Sequence, residues 1–262
     1  MPIVVGRQTC AGGGYVAHVT IDNREKLNTL NRVLMVEIIE EIERLEADRP
    51  LRLVVLRGAG ERAFVGGADL DELAALHRDT ARDFITLVHR VCDGFRRLPV
   101  PVVARIDGYA LGAGLELAAA CDLRVVSERS RFGMPEVRVG IPSVVEAALL
   151  PQLIGEGRAR RLILTGETID AATALQWGLV DAVTPPADLD AEVERFAVAL
   201  LAGGREALRI QKALMADWQN LSTSAAIARG IDAFVEAHES DEPRRMAAAR
   251  LAEMRARRDG RR

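Results

Sequence analysis

Disulfide and metal-ligand patterns are missing from this sequence of 262 residues, which has only three cysteines and four histidines. The cysteines are odd in number and far apart, and no CxxC pattern occurs, so neither a disulfide framework nor a zinc site is expected. The histidines show no HExxH or other metal-ligand spacing, and His89, inside a predicted helix, is expected to be partly exposed or hydrogen-bonded in the core. We therefore predict no metal ion. The residues concerned are Cys10, Cys92, Cys121, His18, His77, His89 and His238.

An excess of positive charge and a long uncharged apolar run are also missing. The net charge is −3, from 35 lysines and arginines against 38 acidic residues, so nothing favours a nucleic-acid groove or an acidic membrane surface as a partner. The most apolar stretch, residues 100–126, contains five charged side chains and is too polar to span a bilayer. The first residues lack the basic region and apolar run of a signal peptide. We expect a cytoplasmic protein with no nucleic-acid or membrane partner.

Three common catalytic motifs are absent as well. There is no GxSxG elbow, no GxGxxG after a strand and no GxxxxGK[ST] loop, so serine hydrolases and nucleotide-binding enzymes of these types are disfavoured. The run Gly12-Gly13-Gly14 is too short and wrongly spaced for a phosphate loop. It is predicted to be the turn between two strands.

The order of apolar patterns predicts a mixed α/β part followed by a helical part. With 49% hydrophobic residues, a chain of this length can bury a large core. Strands and helices alternate up to Pro185 and Pro186, which indicates crossover units around a buried sheet. The expected domains are 1–190 (α/β) and 191–262 (helical). Predicted strands are 4–5, 15–21, 53–56, 100–106, 123–126 and 179–183; predicted helices are 30–49, 80–98, 115–121, 144–154, 157–164, 171–177 and 189–254, the last with breaks near 203–204, 222 and 243.

Two turns rich in small residues, 64–70 and 108–116, each precede a predicted helix. Glycines in such turns let a ligand approach the backbone closely. The amides of Ala68 and Ala113 fall near helix N-termini, where free N–H groups and the helix dipole favour negative charge. Taken singly, each segment could be an ordinary tight turn. If both amides point at one place, they form an oxyanion hole.

Two glutamates follow these turns. Glu116 falls in the first turn of its helix, where a glutamate is usually a capping or dipole-pairing residue. Its neighbours are apolar on every side, however, and a lone buried carboxylate is costly without a partner or a function. Glu136 follows a strand-like segment that ends at Pro135. Two carboxylates in one pocket can divide acid and base roles when their surroundings separate their pKa values.

These motifs together resemble the crotonase superfamily, the enoyl-CoA hydratase/isomerase family. Residues 23–31 resemble N-R-P-E-K-x-N-A-L-N without the proline, and residues 63–70 resemble A-F-x-A-G-A-D-[LI]. Residues 108–116 resemble G-x-A-x-G-G-G-x-E-L, 120–122 the following A-x-x-C-D, and 132–136 resemble F-x-x-P-E. The segments 164–166 and 174–180 are similar to the later L-T-G and A-x-x-x-G-L-V run. The resemblance covers residues 15–185.

The resemblance implies a crotonase-like spiral of ββα units with a C-terminal helical segment that forms a homotrimer or a dimer of trimers. It implies an acyl-CoA substrate, as in fatty-acid metabolism, and an enoyl-CoA hydratase, a hydro-lyase that adds water reversibly to a 2-enoyl-CoA. No cofactor is implied beyond the coenzyme A of the substrate. By position, Ala68 and Ala113 supply the oxyanion-hole amides, Glu116 activates water and Glu136 delivers a proton to C2. Positions matching CoA or substrate contacts are Lys26, Gly66, Ala68, Asp69, Leu70 and Gly112.

Departures from the family pattern keep other functions open. The segment 140–146 is one residue shorter before its proline than in the family and lacks the usual glycines, and this segment normally shapes the acyl pocket. Glu146 there is expected at a solvent-facing helix start. Asp71 replaces a frequent lysine, and residues 246–251 replace the usual A-F-x-E-K-R. The alternatives are enoyl-CoA isomerase, acyl-CoA hydrolase, a ring-modifying lyase, or a non-catalytic acyl-CoA-binding oligomer.

Overall fold

The structure is a computed structural model that describes residues 3–259. The strands are β1 (Ile3–Thr9), β2 (Tyr15–Ile21), β3 (Leu51–Gly58), β4 (Ala63–Val65), β5 (Val102–Ile106), β6 (Tyr109–Leu111), β7 (Leu123–Ser127), β8 (Arg131–Gly133), β9 (Thr168–Asp170) and β10 (Ala182–Thr184). The helices are α1 (Arg32–Ala47), α2 (Leu70–Ala74), α3 (Arg78–Arg97), α4 (Ala113–Ala120), α5 (Leu150–Ile154), α6 (Glu156–Thr165), α7 (Ala171–Trp177), α8 (Leu189–Leu201), α9 (Arg205–Trp218), α10 (Thr223–Ala237) and α11 (Glu242–Asp259). Short 3₁₀ helices cover Arg24–Lys26, Pro135–Val139, Val145–Leu149 and Pro186–Asp188.

The strands form two sheets that the chain visits in turn. The large sheet has the order β1-β2-β3-β5-β7-β10, and the small sheet has the order β4-β6-β8-β9. The pairs β3–β4, β5–β6 and β7–β8 each place their first strand in the large sheet and their second in the small one. Each repeat therefore advances both sheets by one parallel strand, which produces the predicted spiral of ββα units.

The large sheet is buried on both faces, which explains its uninterrupted apolar strands. In β3, Val54 and Leu56 pack into the main core with α1 and α3, while Leu53 and Val55 face a second cluster that includes Leu189 of α8. Side chains alternate between the faces of a strand, so an apolar run is required where both faces are covered.

The C-terminal region is helical, as predicted, and its breaks fall at the expected places. Lys212 of α9 donates to the Asp122 carboxylate at 2.7 Å and to the Val100 carbonyl at 2.9 Å, which fixes α9 to the α/β part. Ser222 caps α10 by accepting from the Ala225 amide. The division into domains at residue 190 remains a prediction, and its outer ends, residues 1–2 and 260–262, lie outside the described residues.

The short elements are the ones that the sequence did not predict. The turns at 63–65 and 109–111 pair with each other as β4 and β6, and β9 joins the small sheet beside β8. The predicted helix 144–154 is a 3₁₀ helix followed by the short α5. None of the helices within residues 3–259 is long and apolar enough to cross a bilayer.

Candidate active site

The predicted site residues gather at the carboxyl edge of the small sheet. The strands β4, β6 and β8 are parallel neighbours, so their carboxyl ends lie side by side. Val65 pairs with Ala110, and the chain reaches Ala68 and Ala113 three residues beyond each of them. Glu136 lies three residues beyond the end of β8. Crevices at the carboxyl ends of parallel strands are the usual ligand-binding places in α/β folds.

The two turns that carry Ala68 and Ala113 pack against each other. The glycines of these turns leave little room for a side chain. A Cβ added at Gly67 would lie 3.2 Å from the Leu111 carbonyl oxygen, and a Cβ added at Gly114 would overlap the Val65 carbonyl group. Ala113 is the first residue of α4. Within residues 3–259, neither the Ala68 amide nor the Ala113 amide donates a hydrogen bond. Both N–H groups are therefore available to a ligand.

Glu116 is a buried carboxyl group in an otherwise apolar helix. All eight residues of α4 are buried, and Glu116 is 4% exposed. The Ala147 amide donates to Glu116 Oε1 at 3.3 Å. Burial, and next the charge of Glu136, raise the pKa of Glu116 to about 8. An acid with a pKa near neutrality is suited to exchange protons with a substrate.

Glu136 faces the same end of α4. Its Oε2 accepts a hydrogen bond of 2.8 Å from Ser143 Oγ. Its Oε1 lies so close to Gly112 that a Cβ added to that glycine would overlap it. Gly112 is the N-cap of α4 at φ +52°, a conformation that favours glycine. The Glu116 amide donates to the Gly112 carbonyl at 3.0 Å. Glu116 thus belongs to the first turn of α4, and Glu136 contacts the N-cap of the same helix.

The predicted CoA-contacting residues lie beside the Ala68 turn, where several already have partners. Lys26 Nζ is 3.1 Å from both Asp69 Oδ2 and Asp71 Oδ2. Asp69 is buried and caps α2 by accepting from the amides of its residues 71 and 72. The Gly66 amide donates to the Leu27 carbonyl, whereas the Leu70 side chain is 64% exposed.

The prediction that Glu146 faces solvent is wrong. Glu146 is 6% exposed and its Oε1 lies 2.7 Å from Nδ1 of His89 on α3. The segment is a 3₁₀ helix that packs against α3 and α4, rather than the exposed start of an α-helix. Val145 adopts φ +40°, a left-handed conformation rare for a β-branched residue, at the position before Glu146. Nothing in the sequence pattern signals that turn.

Two other residues support the site and were not identified from the sequence. Ser143 holds Glu136, and the buried Asn28 donates to the Ala59 and Ala63 carbonyls at 3.0 and 2.8 Å. Asn28 thereby fixes the loop that leads into β4. Its position in the N-R-E-K-L-N segment of residues 23–28 was the available signal.

Two clefts open away from these residues. One, of about 630 Å³, lies at the amino ends of β2 and β3 next to the Gly12–Gly14 turn, and the other lies between α8 and the large sheet beside His18 and Arg57. None of the predicted site residues lines either cleft. Among residues 3–259, no three His, Cys, Asp or Glu side chains form a group that could hold a metal ion, and the three cysteines are free.

The fold agrees with comparisons with known proteins. The family model described as enoyl-CoA hydratase/isomerase matches residues 12–258. The chain is 35% identical to the short-chain-enoyl-CoA hydratase of Clostridium acetobutylicum, with 87% of this chain and 88% of that protein covered. It is 34% identical to the crotonyl-CoA hydratase of Syntrophomonas wolfei, covering 84% and 85%. The crystal structure of an enoyl-CoA hydratase from Bacillus anthracis superposes with a TM-score of 0.87 at 29% identity, covering 99% of this chain and 97% of that one.

The chain therefore belongs to the enoyl-CoA hydratase/isomerase family. Its architecture is the crotonase fold, with the α/β spiral and the C-terminal helices that the sequence predicted.

Proposed function

We propose that this protein is an enoyl-CoA hydratase, which adds water reversibly to a 2-enoyl-CoA thioester and forms a 3-hydroxyacyl-CoA. The observation that carries the proposal is the placement of Glu116 in the first turn of α4 and of Glu136 against Gly112, the N-cap of that helix, where the charge of Glu136 raises the pKa of Glu116. Hydration needs one group to take a proton from water and another to give one to carbon. Two relatives about 35% identical, a short-chain-enoyl-CoA hydratase and a crotonyl-CoA hydratase, support the same activity.

The Ala68 and Ala113 amides supply the proposed oxyanion hole. The parallel register of β4 and β6 and the contact between their turns bring both residues to one edge of the sheet. Their N–H groups have no acceptor within residues 3–259, and Ala113 begins a helix whose dipole favours negative charge. Removing a single oxyanion-hole donor typically costs about 3–4 kcal/mol of transition-state stabilisation.

The proposed reaction follows from these positions. Hydrogen bonds from the two amides polarise the thioester carbonyl, which withdraws electron density from C3. Glu116 takes a proton from water while the water oxygen bonds to C3, and the electron pair of the C2–C3 double bond moves to give a thioester enolate. Glu136 then delivers a proton to C2, which restores the carbonyl group. The reverse reaction exchanges the two roles, and coenzyme A remains part of the substrate throughout.

The CoA moiety is proposed to bind beside the Ala68 turn. Leu70 offers an exposed apolar side chain there, and Lys26 provides a positive charge that it shares with Asp69 and Asp71. Gly66, Asp69 and Gly112 have polar groups engaged within the protein, so their contribution is to shape the backbone around the ligand.

The active form is proposed to be a homotrimer or a dimer of trimers. The α10 helix carries exposed apolar side chains at Ile227, Ile231, Phe234 and Val235, which a second copy could cover. Sedimentation equilibrium of the protein and of Phe234→Asp tests this: a trimer or hexamer that dissociates in the variant is expected, whereas a monomeric protein contradicts the proposal. A cytoplasmic location remains a prediction from the sequence.

Isomerisation of an enoyl-CoA is the second candidate. In this alternative, Glu116, whose pKa is raised to about 8, keeps its proton and Glu136 takes the role of the base. A single carboxylate that moves a proton from C2 to C4 of a 3-enoyl-CoA would produce the conjugated 2-enoyl isomer. The segment 137–144 also exposes Val137, Val139, Ile141 and Val144, whose packing against an acyl chain would decide substrate choice.

Product analysis distinguishes the two candidates. With crotonyl-CoA, we expect loss of the conjugated-thioester absorbance and formation of 3-hydroxybutyryl-CoA. Glu116→Gln and Glu136→Gln should each lower kcat by about 10²–10⁴-fold, whereas Glu128→Gln, on an exposed turn, should not. Conversion of 3-enoyl-CoA without hydration supports the isomerase. Binding of acyl-CoA thioesters with no turnover over a broad panel supports a non-catalytic protein, and release of free CoA supports a hydrolase.

A further inference from the structure

One loop contacts both proposed catalytic carboxyls and carries a third. Ser143 Oγ donates to Glu136 and the Ala147 amide donates to Glu116. Between them, the positive φ of Val145 precedes Glu146, whose side chain is buried. A strained backbone of this kind persists only where the surrounding structure enforces it, and such strain concentrates at functional sites. The geometry of the loop therefore brings Glu146 into the same region as Glu116.

Only one of the two oxygens of the Glu146 carboxyl has a hydrogen-bond partner among the described residues. Its Oε1 is 2.7 Å from His89 Nδ1, but its Oε2 is buried and has no hydrogen-bond partner within residues 3–259. A buried carboxylate oxygen without a partner is costly. The proposed reaction makes no use of Glu146, so the fold carries a costly group that packing alone does not explain. His89, whose side chain is 49% exposed, connects this group to solvent.

We propose that Glu146, held by His89, is a positioning residue that keeps a negative charge beside Glu116 and thereby sets when Glu116 holds its proton. The inference rests on the proposed function in assigning Glu116 to catalysis. Glu146 touches no substrate in this account and acts only through its charge. Glu146 precedes Ala147, whose amide donates to Glu116, and both carboxyls are buried, so their charges interact in a low-dielectric interior.

The ionisable groups around Glu116 are few. The elements packed against α4 are the 3₁₀ helix 145–149, α3, β6 and β4. The carboxylates of Glu136 and Glu146 both raise the pKa of Glu116, after burial, which is the largest cause. The Cys92 thiol of α3 is buried and neutral, because burial raises its pKa well above the usual value. The other titratable side chains of these elements are Tyr109 on β6 and, on α3, Arg78, Asp79, Arg82, Asp83, His89, Arg90, Asp93, Arg96 and Arg97.

Glu146 responds to its own neighbours. Burial raises the pKa of Glu146, whereas the hydrogen bond and charge of His89 oppose that rise and Asp93 adds to it. Asp93 is itself paired with Arg96 and Arg97. His89 therefore favours the charged form of Glu146, which is the form that acts on Glu116.

The test is a titration of the Glu116 carboxyl by ¹³C NMR of glutamate-labelled protein without substrate, its signal assigned by its loss in Glu116→Gln. In Glu146→Gln, we expect Glu116 to bind its proton about tenfold more weakly, a shift of about one pH unit downward. The pH profile of kcat/KM with crotonyl-CoA should move by the same amount and in the same direction. Glu156→Gln, which removes an exposed carboxylate of α6 paired with Arg160, should move neither.

Further variants protect the test against misfolding. Glu146→Ala should shift the Glu116 titration in the same direction as Glu146→Gln. In His89→Asn, Glu146 should titrate at higher pH and Glu116 at lower pH, because Glu146 then carries less charge. If Glu116 titrates at the wild-type pH in those of these variants that fold, the inference is overturned, even when the hydration activity is intact. A shifted titration in a protein that does not hydrate enoyl-CoA overturns the proposed function instead, and shows the coupling to be real.

Discussion

The amide nitrogen of Ala147 lies 3.3 Å from Oε1 of Glu116, and this hydrogen bond links the loop after β8 to the buried carboxyl of α4. It opposes burial, because a donor to a carboxylate favours the ionised form. The bond is too weak to cancel the desolvation of Glu116, whose pKa remains raised to about 8. The carboxyl therefore changes its protonation state within the physiological range.

The stability of the protein should fall as pH rises from about 4.5 to about 8. The folded-state pKa of Glu116 is raised from 4.5, so its contribution to stability is fully present below 4.5 and is lost as pH rises through the folded value. Glu116→Gln should abolish most of this dependence and stabilise the protein at pH 8.5 by up to about 5 kcal/mol. Urea unfolding at several pH values measures it. The raised pKa is contradicted if the unfolding free energy of Glu116→Gln depends on pH in the same way as that of the wild type and of the control Glu128→Gln.

The pH profile of hydration should identify the role of Glu116. If Glu116 takes the proton from water, it must be ionised, so kcat/KM with crotonyl-CoA should rise about tenfold per pH unit at low pH and level off above about 8. Initial rates measured from pH 6 to pH 9.5 give the profile, and the rise of kcat/KM below pH 8 should be absent in Glu116→Gln. If kcat/KM instead falls as pH rises through the same region, Glu116 is the proton donor and Glu136 is the base.

Gly112→Ala should remove activity and also lower stability. The added Cβ would overlap the Glu136 carboxyl, and the positive φ of Gly112 disfavours any side chain. We expect kcat to fall by at least about 10²-fold, since displacing a catalytic group by about 1 Å has effects of this size. Gly157→Ala is the matched control, because a Cβ there meets nothing within 4 Å. Equal activity of both variants would show that Glu136 need not stay against Gly112.

Asn28→Ala should destabilise the protein through the loop before β4. It removes two hydrogen bonds to the Ala59 and Ala63 carbonyls and an acceptor for the Asn23 amide. Leaving these buried groups without partners should cost roughly 2–4 kcal/mol of unfolding free energy. Thermal and urea unfolding measure the loss, and Asn220→Ala at an exposed position should change stability little. A wild-type midpoint for Asn28→Ala would mean that these contacts are dispensable.

Long elements were predictable because their periodicity is strong. The prediction for α3 differs from the structure by two residues at its start and one at its end. The breaks between the C-terminal helices include Gly203-Gly204 and Ser222 as predicted, whereas the last break, at residues 238–241, precedes Pro243, which is the second residue of α11. The small sheet was missed in part, because three-residue strands such as β4 and β6 are too short to show an alternation. Only pairing between distant segments turns them into a sheet.

The sequence by itself determined the order of the long strands and helices, the family, and the residues Ala68, Ala113, Glu116 and Glu136 as candidates, since local composition and motifs carry all of these. The tertiary structure decided which groups meet: Ser143 on Glu136, Ala147 on Glu116, and His89 on a Glu146 that the sequence placed in solvent. The physical reason is that burial and the charge of a neighbour depend on packing between segments far apart in the chain. The sequence pattern did not predict the buried environment of Glu146, which directly follows the positive φ of Val145.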